Sequence, residues 1–194
     1  MKLLLLISAL ILSPAPLPKK PTVVLISTTL GEIKVELDPI HAPITTGNFL
    51  KYVDLGRYAG GRFHRTVTLA NQPDKKTKIE VIQAGVNPAK QKADLPPIKL
   101  ERTNLTGILH TSGTISMARD GADSATSDFF ICIGDQPELD YGGKRNPDGQ
   151  GFAAFGKVTL GMDVVRKIQA SPAKDQTLDP PIVINSIRRR PSLL

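Results

Sequence analysis

Gly113-Thr114-Ile115-Ser116-Met117-Ala118, a polar Gly-bearing link, and then Phe129-Phe130-Ile131-Cys132-Ile133 form the stretch on which the fold turns. Both segments read as short strands bounded by polar loops. Working outward, further strands are predicted at Gly61 to Arg65, Ile79 to Gln83 and Phe152 to Val158. At the N-terminal side, Val23 to Ser27 and Glu32 to Leu37 read as a hairpin joined across Thr28-Thr29-Leu30-Gly31. In its second strand Ile33, Val35 and Leu37 alternate with Glu32, Lys34 and Glu36, the period of a sheet with one buried face. Ile182 and Ile184 alternate with Val183 in a closing strand that runs to Ile187. Two helices are predicted. One starts near Pro43, carries Phe49, Leu50 and Val53 on one face and ends at Gly56; the other carries Met162, Val165 and Ile168. About eight short strands with two distant helices favour a barrel or sandwich, and such helices would suit the open ends of a barrel.

The 194 residues suit one domain with a real core, and 40% hydrophobic with 22% charged residues lies near the globular average. Lys2 precedes a run from Leu3 to Leu12 that is apolar but for Ser8, and Ser13-Pro14-Ala15 follows. These ten residues rise only about 15 Å as a helix against a bilayer core of about 30 Å, so the run reads as an export leader and not as a membrane span. Residues 1–18 are accordingly predicted as signal peptide and Pro-rich spacer, and 19–194 as the folded domain. The chain is expected to be periplasmic in a Gram-negative host, and otherwise secreted or anchored by an uncleaved leader. The lone Cys132 forms no internal disulfide and reads as a small buried hydrophobe. The net charge of +7 is spread over Lys75-Lys76, Lys90, Lys144-Arg145 and Arg188-Arg189-Arg190 without aromatic interleaving. That pattern argues for a solvated surface and against nucleic acid as partner.

Familiar catalytic signatures are missing. There is no Gly-x-Ser-x-Gly elbow, His41, His64 and His110 lack metal-site company, and no glycine-rich loop links a strand to a helix. What remains is an ordered series: Phe63-His64-Arg65, Gln83-Ala84-Gly85, Gly113-Thr114-Ile115-Ser116-Met117-Ala118, Phe129-Phe130-Ile131 and Phe155-Gly156-Lys157-Val158. Taken in order, with Leu37-Asp38-Pro39 and Gly161-Met162-Asp163 flanking, the series resembles the cyclophilin-type peptidyl-prolyl isomerases over nearly all of Val23 to Ile187.

The resemblance implies a closed eight-stranded antiparallel barrel capped by two helices, with an outer groove for X-Pro segments of unfolded or partly folded polypeptides. It implies no cofactor, and a monomer is expected. Carried over by position, Arg65 is the catalytic arginine and Gln83 its polar support. Phe130 belongs to the proline pocket, Val81, Leu139 and Phe152 to its walls, and Ala118 and Arg119 to the segment that pairs with substrate backbone. Each has a plainer alternative: Phe130 and Val81 as core, Arg65 as a surface ion-pair partner. A proline-binding chaperone or assembly factor without catalysis is the alternative function.

Several positions depart from the family pattern. Asp128 stands where glutamine is usual and is expected to lie near Arg65, where an ion pair would compete with substrate. Glu138 takes the place of a tryptophan found in cyclosporin-sensitive members, and Phe152 replaces a histidine. The segment Val67 to Lys78 is long and polar and brings Glu80 toward a pocket position. Isomerase chemistry is therefore expected with altered ligand preferences.

Overall fold

The computed structural model describes residues 21–190, so the predicted leader and spacer, 1–18, lie outside the described residues. The elements run β1 (Thr22–Thr28), β2 (Gly31–Leu37), α1 (Pro43–Asp54), β3 (Gly61–Val67), β4 (Val81–Gly85), α2 (Thr103–Thr106), β5 (Thr114–Met117), β6 (Phe129–Cys132), β7 (Ala153–Leu160), α3 (Met162–Gln169), β8 (Ala173–Lys174) and β9 (Thr177–Arg190). All pairings are antiparallel, in the order β1-β2-β7-β5-β6-β4-β3-β9. β9 also pairs with β1, so eight strands close a barrel and, among the described residues, no main strand is left as an open edge. The two-residue β8 only extends β9.

The predicted strands and both predicted helices are present, with shifted ends. β9 spans fourteen residues where the apolar alternation marked only Ile182 to Ile187. Its N-terminal half pairs with β8 and with Arg65 on β3, contacts that leave no apolar period in the sequence. The one-turn α2 adds a third helix that no periodicity announced, closed by Gly107 in the left-handed conformation (φ 72°).

Helix α1 begins at Pro43, whose missing N–H is harmless in a first turn. The next two amides, Ile44 and Thr45, donate to the Glu101 carboxylate at 3.0 and 2.8 Å, a cap supplied from 56 and 57 residues away. Its inner face sends Phe49 against Tyr58, Phe129 and Phe155, with ring centroids 5.2 to 5.5 Å apart. Each such fully buried aromatic contributes on the order of 1.5–3 kcal/mol by burial. Helix α3 buries Val164, Val165 and Ile168.

The apolar residues form two clusters. One fills the barrel interior and includes Phe63, Ile82, Ala84, Phe129 and Ile131. The other lies on the outer face of the same strands: Val67, Ile79, Val81, Phe130, Cys132 and Leu139, with Ala118 and Phe152 packed on it. Successive strand residues point to opposite faces, so β4 and β6 must be apolar on both. This is why Phe129-Phe130-Ile131-Cys132 reads as a continuous run. Cys132 is fully buried in the outer cluster, and burial pushes its thiol far above the ordinary range, consistent with an inert filler.

Candidate functional site

The outer cluster floors a groove of about 690 Å³, and all nine predicted site residues line it: Arg65, Val81, Gln83, Ala118, Arg119, Asp128, Phe130, Leu139 and Phe152. Strand register explains the convergence. Arg65 on β3 is opposite Gln83 on β4, Gln83 opposite Phe130 on β6, and Phe130 opposite Ser116 on β5. Neighbouring strands lie about 4.8 Å apart, which puts the backbones of Arg65 and Phe130 about 10 Å apart in one transverse row.

A bulge aims Arg65. The register of β3 shifts between Phe63 and Arg65 against both β4 and β9. Phe63 points into the core, so regular alternation would send Arg65 inward as well; the extra residue, His64, lets Arg65 face the groove. Its Nε and Nη2 then donate to Gln176 Oε1 at 3.0 and 2.6 Å, and its Nη1 donates to Gln83 Oε1 at 3.0 Å. Three of the five guanidinium N–H groups are thereby used, and two remain for a ligand. Burial lowers the affinity of Arg65 for its proton, yet an arginine stays charged at any ordinary pH.

Gln83 is held at both ends, because its Nε2 donates to Asp128 Oδ2 at 3.2 Å. The expected Arg65–Asp128 ion pair is not formed: Gln83 sits between them, and Asp128 lies 3.6 Å from His64 Nε2 instead. Burial raises the Asp128 carboxyl above its ordinary value, while His64 and the Gln83 amide pull it back down. Among the described residues Arg65 has no carboxylate partner, so its charge is available to a ligand.

Phe130 stands between two rings. His110 stacks beneath it (5.9 Å, 16°), and Phe152 meets it edge-on (5.3 Å, 90°). His110 in turn contacts Asp140 Oδ1 through Nδ1 at 2.7 Å and Ser116 Oγ through Nε2 at 2.9 Å. These are the distances of a serine-hydrolase triad, assembled without any local signature in the sequence. Yet Ser116 is fully buried and His110 is 1% exposed, so no substrate carbonyl can reach the hydroxyl. The relay fixes the His110 ring and, through it, Phe130.

The far wall is braced by Arg119. Its guanidinium lies 5.1 Å from the Phe152 ring centroid, donates to Gly151 O, and forks onto Asp148 at 2.7 and 3.0 Å. Gly151 permits this fold-back: its φ is 66°, and a Cβ there would lie 2.5 Å from the Asp140 backbone. The side chain of Arg119 is thus a brace for the loop that presents Phe152. Glu80, expected near the pocket, faces away and accepts from Gln169 at 3.2 Å, whereas Ile79 and Val81 face the groove. Glu138 is half-buried outside the groove lining and accepts the Lys144 amide N–H.

Gln176, His110, Ser116, Asp140 and Arg145 escaped the sequence reading as site residues. Gln176 joins Arg65 across 111 positions, and its turn carries no motif. Among the described residues no three His, Cys, Asp or Glu side chains converge as metal ligands would, and no helix is long and apolar enough to cross a membrane.

Comparison with known proteins agrees with this geometry. The family described as cyclophilin type peptidyl-prolyl cis-trans isomerase/CLD matches residues 23–189. The chain is 39% identical over 186 residues to peptidyl-prolyl cis-trans isomerase A of Dickeya dadantii, covering 91% of this chain and 88% of that one. It is 41% identical over 154 residues to a peptidyl-prolyl cis-trans isomerase of Acinetobacter baylyi, covering 78% and 73%. Among solved structures, a cyclophilin type isomerase of Cryptosporidium parvum superposes with a TM-score of 0.73 at 22% identity, covering 90% of this chain and all of that one. The same protein solved in the presence of the dipeptide Ala-Pro superposes at 0.70, also at 22% identity, over 87% of this chain and 98% of that one.

Proposed function

The chain belongs to the cyclophilin-type peptidyl-prolyl cis-trans isomerases, and from that premise we propose that Arg65, Gln83 and Phe130 turn the X-Pro bonds of polypeptides handled after export. The observation that carries the site assignment is the row itself: a guanidinium with two unused N–H groups, fixed by two amide oxygens, about two strands from an apolar pocket.

The reaction breaks no covalent bond. Amide resonance sets a barrier of about 18–20 kcal/mol, and uncatalysed X-Pro rotation takes tens to hundreds of seconds. Reaching about 10² turnovers per second requires roughly 10⁴-fold acceleration, or about 5 kcal/mol. As the bond twists, conjugation is lost and the prolyl nitrogen becomes a better hydrogen-bond acceptor. A fixed guanidinium donor therefore binds the twisted form more tightly than either planar form. One charge-assisted bond supplies about 1.5–3 kcal/mol. The remainder falls to preorganisation, with proline held on Phe130 between Leu139 and Phe152 while the preceding carbonyl sweeps round. Gln83 keeps Arg65 on station, and the backbone at Ala118 and Arg119 aligns the peptide. Asp128 sets the orientation of the Gln83 amide.

The chain is proposed to act as a monomer, without a cofactor and without nucleic acid, on unfolded or partly folded substrates. The apolar run Leu3–Leu12 supports export. The deciding assay follows cis/trans exchange of an X-Pro peptide with the wild-type chain and with Arg65→Ala. Loss of turnover in the variant supports the assignment, and equal rates would sink it. Export is tested by sequencing the N-terminus of the protein recovered from fractionated cells; an intact Met1 in the cytosol would refute it.

A further inference from the structure

The long segment after β3, which separates this chain from the usual family pattern, is folded onto the groove and changes its charge. Gln72 is buried and ties the segment to itself, donating to Thr68 O and Ile79 O at 2.7 and 2.8 Å. Arg145, from the loop that presents Phe152, reaches across and donates through Nη1 to Gln72 Oε1 at 2.8 Å and to Thr77 O at 2.9 Å. The two lysine-bearing pairs that look scattered in sequence, Lys75-Lys76 and Lys144-Arg145, thereby meet on one lip of the same groove. Lys75, Lys76 and Lys144 are exposed, and among the described residues none of these four cations has a carboxylate partner. Arg65 lies close enough to disfavour the charged form of Arg145, after burial, which is the larger effect. Cations gathered in a substrate groove and left without counter-ions form a site for an anion.

The acids that line the groove, Asp94, Asp120 and Asp128, lie together at its other end, whereas Asp74 and Glu138 flank the basic lip without lining the groove, Glu138 accepting the Lys144 amide N–H. Asp128 sits beside Gly85 and Gln83, at the C-terminal end of β4, whereas the basic loop enters at Ile79 before its start. An extended strand rises about 3.3 Å per residue, so from Ile79 to Gly85 the two ends stand about 20 Å apart. A polyanion laid along the groove would gain at one end and be repelled at the other. A peptide with one acidic residue on the correct side of its proline meets the end where Lys75, Lys76, Lys144 and Arg145 outnumber the flanking Asp74 and Glu138.

We propose that the lip formed by Lys75, Lys76, Lys144 and Arg145 is a carboxylate subsite, which makes this isomerase prefer X-Pro segments bearing Asp or Glu about three residues from the proline, the reach of the extended chain from Val81 past Ile79. The proposal rests on the groove being the peptide site, as assigned above. A carboxylate arriving there neutralises a lip that otherwise repels itself, and the preference is sensitive to salt because its lysines are exposed.

The test is a panel of peptides with one proline and alanine at every flanking position, with single Asp or Lys substitutions walked along both sides. Exchange rates and Kd are measured by NMR at low and high salt. Asp on one side of the proline should raise kcat/KM by about threefold to fivefold over alanine and Lys should lower it, with the gap shrinking in salt. The double variant Lys75→Glu/Lys76→Glu should reverse the order of the Asp and Lys peptides. Rates and Kd within twofold across the panel would overturn the proposal, as would an unchanged order in the double variant or tighter binding of an oligonucleotide at the same lip. If no peptide were turned over, the isomerase assignment would fail separately, and the Kd series would still decide the subsite.

Discussion

Gln176→Ala is the perturbation that most directly separates holding Arg65 from merely possessing it. Gln176 Oε1 accepts two of the three hydrogen bonds that fix the guanidinium, at 3.0 and 2.6 Å, while Nε2 donates to Asn71 O at 3.1 Å. Removing the amide leaves Arg65 tied only to Gln83. A hydrogen bond to a charged group contributes about 1.5–3 kcal/mol, and because both N–H groups share one oxygen they count as one anchor. If that anchoring serves mainly the twisted state, kcat/KM should fall between about 10-fold and 150-fold. Gln176 is half-buried at the end of the β8–β9 turn, so little packing is lost and the melting temperature should move only a few degrees. NMR exchange on an X-Pro peptide should show the loss in kcat with KM changed less, since the proposed proline seat on Phe130 is untouched. A variant within twofold of wild type, or a loss explained by unfolding at the assay temperature, would refute the positioning argument.

Three further outcomes follow from the same geometry. Ser116→Ala leaves His110 Nε2 buried without its partner and should cost about 1–3 kcal/mol in denaturant unfolding, while a serine-directed fluorophosphonate should leave the native wild-type chain unlabelled. The Arg119 hydrogen bonds hold Asp148 down to about 2 against an ordinary 3.8, so the stabilisation from their bond is fully present above about pH 4 and is lost as the pH falls through about 2. Amide signals of Gln150 and Gly151 should therefore stay native at pH 3, and their collapse already at pH 4 would contradict the brace. Cyclosporin should bind weakly, because Glu138 does not line the groove and leaves the wall without the tryptophan of sensitive relatives; tight inhibition at nanomolar drug would overturn this.

The fold was legible where one element faces one environment. Ile33, Val35 and Leu37 alternate because β2 is buried on one side only, and Phe49, Leu50 and Val53 repeat because one face of α1 is inward. On β4 and β6 the period disappears, since both faces are covered, and there the ordered motifs carried the reading. The groove residues were legible because strand register places Arg65, Gln83 and Phe130 in one row. Their supports were not. Gln176 and the His110–Ser116–Asp140 relay come from turns and loops distant in sequence, where no period or spacing marks a partner. Charge was legible in amount but not in place: only the Arg145 bridge to Gln72 and Thr77 brings Lys75 and Lys144 to the same lip. The Arg65–Asp128 pair expected from proximity is pre-empted by Gln83, which satisfies both groups at once.

The central claim is that Arg65 acts on the twisted amide and not on the bound ground state. Its most direct test measures both on one sample: Kd and cis/trans exchange of a single X-Pro peptide, by NMR, for wild type and Arg65→Ala. Loss of a donor bonded chiefly in the transition state predicts a Kd within about threefold and turnover reduced about 10-fold to 150-fold, the equivalent of about 1.5–3 kcal/mol. A parallel loss in both, or turnover preserved in the variant, would contradict it.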